Sequence, residues 1–304
     1  MDATTLATLR TLFGDRMQEN DRLSSYTSAR IGGPADALIF VYKADELAQA
    51  AAKLWELGLP FVLLGGGSNV LVSDRGVRGA VIINRARLLK FDSQSEPPSV
   101  RAESGTTLND IAQRAARLGL SGLEWAASVP GSLGGAVYGN AGAFGGDMAG
   151  SLASVELLFP SGRETWSVER MQYGYRTSLL KRERPQAVIL AATLKMSRGS
   201  MQAIQARMNE NTVKRRSAQP RGASMGSMFK NPPGEKAGRL IEAAGLKGTR
   251  IGRAQISSQH ANFFISDGQT RAADMRALIE LAQRKVYEKS GVKLELEVEL
   301  IGEW

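Results

Sequence analysis

Two spacings of apolar residues organise the first half of the chain. Residues 37–42 form a short apolar run, and residues 45–57 repeat apolar positions at helical spacing, with Asp45 and Glu46 in the first turn and Gly58-Leu59-Pro60 ending it. A strand is predicted at 61–64, running into Gly65-Gly66-Gly67-Ser68-Asn69, with further strands at 70–72 and 80–83 around a turn at Arg75-Gly76. The polar Gln94-Ser95-Glu96-Pro97-Pro98 predicts a loop near a domain boundary. Beyond it the pattern predicts a strand at 100–103, an amphipathic helix at 108–118, strands at 153–159 and 187–195, and a helix at 201–216 broken by Pro220. A last unit carries predicted helices at 237–244 and 272–289, a strand at 262–265 and an alternating strand at 294–300. No internal repeat is visible.

Composition narrows this picture. A chain of 304 residues exceeds one compact core of ordinary size, so two or three domains are expected. The 33 glycines exceed the roughly 21 expected from average usage, and they cluster at 65–79 and 131–150, which marks shaped loops. The chain has no cysteine, which excludes disulfides, thiolate metal sites and cysteine nucleophiles. No metal site is expected. The first twenty residues hold Asp2, Arg10, Asp15, Arg16 and Glu19 without a signal-peptide core, and no later stretch predicts a membrane span, so a cytoplasmic protein is expected. The net charge of +9 at pH 7 admits acidic partners, either nucleic acid or small phosphorylated molecules. Its densest run, 207–230, is either a solvated helix face or a ligand-facing one, and it lacks the aromatic or helix-turn-helix signature of a nucleic-acid binder.

The glycine segments carry the first candidate chemistry. A strand ending in Gly65-Gly66-Gly67-Ser68-Asn69 lets backbone N–H groups approach an anion closely; the same pentapeptide also serves as a plain tight connection. It has neither the Gly-Lys-Ser/Thr of a Walker loop nor the G-x-G-x-x-G of a dinucleotide fold. Pro130-Gly131-Ser132-Leu133-Gly134-Gly135-Ala136, followed by Gly139-Asn140-Ala141-Gly142, suggests a chain packed against something flat or against another backbone. One extended cofactor held between the two segments explains both.

Six ordered motifs then resemble one family. They are Thr27-Ser28-Ala29-Arg30-Ile31-Gly32-Gly33-Pro34-Ala35-Asp36, the loop at 65–69 with Leu71-Val72, Gly122-Leu123-Glu124 with Val129-Pro130-Gly131-Ser132, Tyr175-Arg176-Thr177-Ser178, Gly226-Ser227-Met228-Phe229-Lys230-Asn231-Pro232, and His260-Ala261-Asn262-Phe263. Together, from about residue 25 to 302, the chain is similar to the UDP-N-acetylenolpyruvoylglucosamine reductases, flavoenzymes of peptidoglycan precursor synthesis. The resemblance implies an α/β (α+β) fold. It comprises an FAD-binding region of two subdomains of the vanillyl-alcohol-oxidase (PCMH) type, residues 1–84 and 85–217, and a C-terminal α+β substrate-binding domain, 218–304, whose final strand packs back on the FAD region.

The resemblance further implies noncovalent FAD held by Arg30, Ile31, Gly65, Gly66, Gly67, Ser68, Asn69, Pro130, Gly131, Ser132, Gly135, Ala136, Asn140 and Gly142, with NADPH as co-substrate. Arg176, Ser227 and Glu297 are the implied catalytic residues: enolate stabiliser, proton donor and assisting carboxylate. Tyr175, Arg215, Lys230, Asn231, His260 and Asn262 are the implied substrate contacts. Leu296 replaces a usual proline, Ser128 a frequent glycine, and Ala218 a common lysine, which leaves Lys214, Arg215 or Arg221 to meet the substrate diphosphate. The short spacing after Tyr175-Arg176 matches the family type that lacks a tyrosine loop. A monomer without a nucleic-acid partner is expected. A flavin oxidase of the same fold and a basic nucleic-acid-binding protein are the competing readings.

Overall fold

In the computed structural model, which describes residues 1–304, strands Met17–Glu19, Ala35–Val41, Val77–Asn84 and Phe61–Leu64 form one sheet in that spatial order. Every residue of Ala35–Val41 is buried, so its sequence is a continuous apolar run rather than an alternation. The expected helix after it is Ala44–Glu56. Its first N–H group, on Ala44, donates to the buried Glu103 carboxylate at 3.0 Å, satisfying one of the donors that a helix start leaves open.

A second sheet orders Gly162–Ser167, Leu152–Phe159, Val188–Lys195, Ser99–Glu103 and Leu89–Asp92, antiparallel throughout. The polar stretch at 94–98 is the hairpin loop between its last two strands. Helix Leu108–Arg117 begins where the Thr107 hydroxyl accepts the Asp110 N–H at 3.1 Å, and it buries Leu108, Ile111, Ala112, Ala115 and Ala116 in the core shared with Trp125, Leu133 and Val155. A third sheet orders Ala223–Ser227, Phe263–Ser266, Ala254–Ile256 and Arg250–Ile251. Helix Ala272–Ser290 contributes Met275, Leu278 and Ile279 to the core that also holds Met228, Phe229 and Phe264.

By their contacts the residues gather into two compact units, one of Met1–Leu38, Gly67–Val81 and Arg216–Trp304, the other of Ile39–Gly66 and Ile82–Arg215. The mixed helix and strand content is that of the expected α/β (α+β) class. Two local expectations need correction. The glycine segment at 131–142 contains a helix, Leu133–Gly139, because Gly134, Gly135 and Gly139 are separated by residues whose apolar side chains, Leu133, Ala136 and Val137, are buried on one face. The alternating segment 294–300 is not one strand: only Glu299–Ile301 is, and it pairs in parallel with Val70–Val72. The residues before it turn to another partner, with Leu296 bridged to Phe229. Alternation reports which face is buried, and Leu294 and Val298 are buried, but it does not name the neighbour that takes the hydrogen bonds.

The core of the unit containing Phe264 is closed by an edge-on aromatic pair, with the Phe229 and Phe264 ring centroids 6.0 Å apart and both side chains inaccessible to solvent. Phe264→Ala is expected to cost about 3–5 kcal/mol of unfolding free energy. Urea denaturation followed by circular dichroism checks this, and an unchanged midpoint contradicts it.

Candidate functional site

In the unit of Ile39–Gly66 and Ile82–Arg215 the two glycine segments meet. A Cβ on Gly65 would overlap the Ser132 hydroxyl, and one on Gly66 would stand 3.2 Å from the Gly131 Cα, so the Ser132 side chain packs on Gly65 and backbone packs on backbone at Gly66 and Gly131. The second backbone is firmly held. Leu133 and Gly134 donate to the Thr106 and Ser104 carbonyls, both at 2.8 Å, and Gly131 accepts from Leu108 at 3.3 Å. Pro130 and Gly135 are exposed on this ledge, while Ser132 and Ala136 are buried within it. Along the strand that leads to Gly65, Trp55, Phe61, Leu63, Pro185 and Val188 line a cavity of about 480 Å³.

Helix Leu133–Gly139 carries this ledge to Arg176. At its far end Asn140 adopts a left-handed conformation, φ 48°, and its side-chain amide donates to the Gly174 carbonyl at 2.9 Å while its oxygen accepts the Ala149 N–H at 3.0 Å. The Tyr173 hydroxyl donates to Val137 O at 3.0 Å, burial raising its pKa, and the Ser178 hydroxyl donates to Tyr138 O at 2.6 Å. Between these anchors, Tyr175 and Arg176 make a two-residue turn closed by mutual Gly174 and Thr177 backbone bonds of 3.1 and 3.2 Å. Arg176 has φ 56°, a strained conformation for a long side chain. Its Nη2 donates to Gly142 O at 2.9 Å, and its guanidinium lies 5.4 Å from the Tyr175 ring centroid. Arg215, half-buried, has its pKa lowered by burial and then by the Arg176 charge. Lys214, in contrast, is exposed and paired with Glu210 at 2.6 Å.

The other unit holds the second set. Gly67, at φ 57°, lies against Tyr26, where a Cβ would overlap the Tyr26 carbonyl, and Gly67 O accepts the Ser28 N–H at 3.0 Å. Arg30 also takes a left-handed conformation, φ 56°, and is exposed, whereas Ile31 is buried with its N–H on the Thr27 hydroxyl at 3.2 Å. Ser68 lies in the turn that leads to Asn69, whose side-chain amide donates to Glu297 O at 3.0 Å while its carbonyl accepts the Glu299 N–H at 3.0 Å.

Residues 228–230 pair with 295–297: Glu297 N–H donates to Met228 O, and Lys230 N–H to Glu295 O, both at 2.9 Å. Ser227, the last residue of its strand and opposite Phe263, directly precedes this pairing, in which Glu297 is bonded to Met228. Asn262 fixes this pairing. Its buried carboxamide accepts from Phe229 N at 3.0 Å and donates to Phe229 O at 2.8 Å. Asn231 receives the first N–H of helix Ala237–Ala243 at 3.1 Å, and Lys230 pairs with Glu295 at 3.3 Å. His260 Nδ1 accepts the Asn262 N–H at 3.2 Å, and burial lowers its pKa, which favours the neutral imidazole. The supporting roles of Tyr173 and Ser178 went unread in the sequence, since both act on backbone carbonyls that no motif identifies; Asn140 directly after a short helix was the one local sign of a left-handed cap.

Residues 35–167 match the family described as an FAD binding domain, and residues 218–301 match the C-terminal domain of UDP-N-acetylenolpyruvoylglucosamine reductase. The chain is 43% identical over 289 residues to the UDP-N-acetylenolpyruvoylglucosamine reductase of Chloroflexus aggregans, covering 94% of this chain and 97% of that relative. Its counterpart from Chloroflexus aurantiacus is 42% identical over 287 residues, 93% of this chain and 96% of the relative. The crystal structure of the reductase from Thermus caldophilus superposes with a TM-score of 0.79 at 38% identity, covering 93% of this chain and 99% of that one. The cradle fits a flavin diphosphate: backbone amides, close approach and no intruding Cβ. Gly65→Val forces the two backbones apart at a cost of ~1–3 kcal/mol, so the FAD dissociation constant is expected to rise about 10- to 100-fold. Fluorescence titration of the apoprotein measures it, and wild-type affinity in the variant contradicts the cradle.

Proposed function

The chain belongs to the UDP-N-acetylenolpyruvoylglucosamine reductase family of FAD-dependent oxidoreductases, and from that premise we propose that it uses NADPH to reduce UDP-N-acetylglucosamine enolpyruvate to UDP-N-acetylmuramate. FAD, when held by these residues, would supply a two-electron carrier between NADPH and the enolpyruvyl methylene carbon. The double bond gains that hydride at one carbon and a proton at the other, so NADPH and one proton are consumed for each lactyl ether formed.

What supports this reading is the match to the reductases over most of the chain, together with the backbone pairing of 228–230 with 295–297, which brings the segment following Ser227 alongside the segment that carries Glu297. Hydride arriving at the methylene carbon leaves negative charge on the carbon bearing the carboxylate and on the carboxylate itself. Arg176, permanently charged and anchored to Gly142 O, stabilises that enolate. Ser227 delivers its hydroxyl proton to the carbanionic carbon, and Glu297 maintains the proton supply beside it. Arg215 adds a second positive group for the substrate's anionic parts, and Tyr175 and Lys230 bound the substrate. Asn231, His260 and Asn262 act through the backbone they hold.

FAD is held noncovalently, with no cysteine available and the single histidine committed to the Asn262 N–H. Gly65 to Asn69, Pro130 to Ser132, Gly135, Ala136, Asn140, Gly142, Arg30 and Ile31 form its surroundings, and the cavity beside Trp55 and Phe61 suits its adenosine half, because the strand lining it ends at Gly65. Residues 1–84 and 85–217 serve as the FAD-binding subdomains and 218–304 as the substrate domain. No helix is long and apolar enough to cross a membrane; a cytoplasmic monomer without nucleic acid completes the proposal.

Ser227→Ala tests the assignment. Anaerobic stopped-flow should show reduction of the bound flavin by NADPH close to wild type, and reoxidation by the enolpyruvyl substrate slowed by about 10² to 10⁴. Equal loss in both half-reactions removes Ser227 from the role of proton donor.

A further inference from the structure

One strained aromatic residue, in the hairpin whose first residue holds Arg176, has no part in the chemistry above. In the hairpin of residues 142–147, Gly142 is opposite Asp147 and Ala143 opposite Gly146, so Phe144 and Gly145 form a two-residue turn. Both have positive φ, 52° and 84°. Such a turn favours Asn-Gly, because asparagine tolerates the left-handed region and a phenylalanine Cβ does not. Packing does not offset the strain, since Phe144 remains 42% exposed.

The support beneath it is rigid. Gly146 lies so close to Trp125 that a Cβ would overlap the indole, Met148 N–H donates to Ala141 O at 2.9 Å, and Asp147 accepts the Gly150 N–H at 2.9 Å. A strained exposed side chain on an over-determined frame marks a functional position rather than a stabilising one. Two residues before Phe144, the Gly142 carbonyl holds Arg176 Nη2, and next to Arg176 stands another exposed aromatic, Tyr175.

We infer that Phe144 is the surface against which the nicotinamide ring of the reductant lies while it gives up hydride, an inference that rests on the NADPH-dependent reading above. A benzyl group carries no hydrogen-bonding atom, so it selects a flat ring rather than a sugar hydroxyl or a phosphate. When the C4–H bond of the nicotinamide breaks with both its electrons, the flavin would be the acceptor of the hydride and the nicotinamide ring would be left a cation; Phe144 exchanges no proton or electron. The negative face of a phenyl ring attracts that developing cation, an interaction stronger in the transition state than in the ground state. Arg176 opposes a cation nearby, and an aromatic face is the group that offsets it.

Phe144→Asn, Phe144→Leu and Phe144→Tyr form the test, read by anaerobic reduction with NADPH, reoxidation by the enolpyruvyl substrate, FAD affinity and melting temperature. Phe144→Asn is expected to slow reduction or raise the NADPH dissociation constant about tenfold, to leave reoxidation and FAD affinity within about twofold, and to raise the melting temperature by about 2 °C as the turn relaxes. Phe144→Leu should share the slow reduction, and Phe144→Tyr should restore it. If wild type is reduced normally and Phe144→Asn matches it, this role alone is overturned. Equal loss in both half-reactions, or loss of FAD, also overturns it, because the side chain would then be structural. A wild-type protein that binds FAD but is not reduced by NADPH overturns the reductase reading and this role with it.

Discussion

The close approach of Gly65 and Gly66 to Gly131 and Ser132 is the constraint on which the site depends. A Cβ on Gly65 would overlap the Ser132 side chain and one on Gly66 would crowd the Gly131 backbone, so glycine is what lets the two segments lie this close. From there the geometry propagates along a single short helix. Ser132 precedes Leu133–Gly139, and the carbonyls of Val137 and Tyr138 at the other end accept the hydroxyls of Tyr173 and Ser178, which bracket Arg176. The glycine ledge and the Arg176 turn are therefore tied to the two ends of one short helix.

A different economy governs the unit that holds Ser227 and Glu297. Here the chain relies on short runs of backbone pairing rather than on a long strand: residues 228–230 with 295–297, then Val70–Val72 with Glu299–Ile301. Asn262 and Asn69 are the residues that make such brief pairings specific. Buried Asn262 satisfies both backbone groups of Phe229, and exposed Asn69 holds the Glu297 carbonyl, so a side-chain amide pairs with backbone at each point where the ladder is interrupted.

Much of the element content was legible from the sequence because it rests on local signals. Helix Ala44–Glu56 ends where Gly58 and Pro60 predict, and helix Leu108–Arg117 follows its apolar spacing and its Thr107 cap. Residues 294–300 show where that kind of reading fails, since alternation records the buried face and not the partner, which changes from Phe229 to Val70–Val72 within a few residues. Helix Leu133–Gly139 was hidden by its glycines, whose helix-breaking tendency yields to the burial of Leu133, Ala136 and Val137. The candidate site residues were named through the family resemblance and not through composition, since nothing in composition separates Arg176 from the other arginines, and its strained turn is visible only in three dimensions.

The central claim, that hydride from NADPH ends on an enolpyruvyl ether and not on oxygen, is tested most directly by stoichiometry in air. With FAD-loaded protein, the account predicts one NADPH oxidised for each enolpyruvyl group reduced, and negligible NADPH consumption or hydrogen peroxide when UDP-N-acetylglucosamine enolpyruvate is withheld. NADPH oxidation that continues at the same rate without that substrate, with peroxide formed in equal amount, would contradict it.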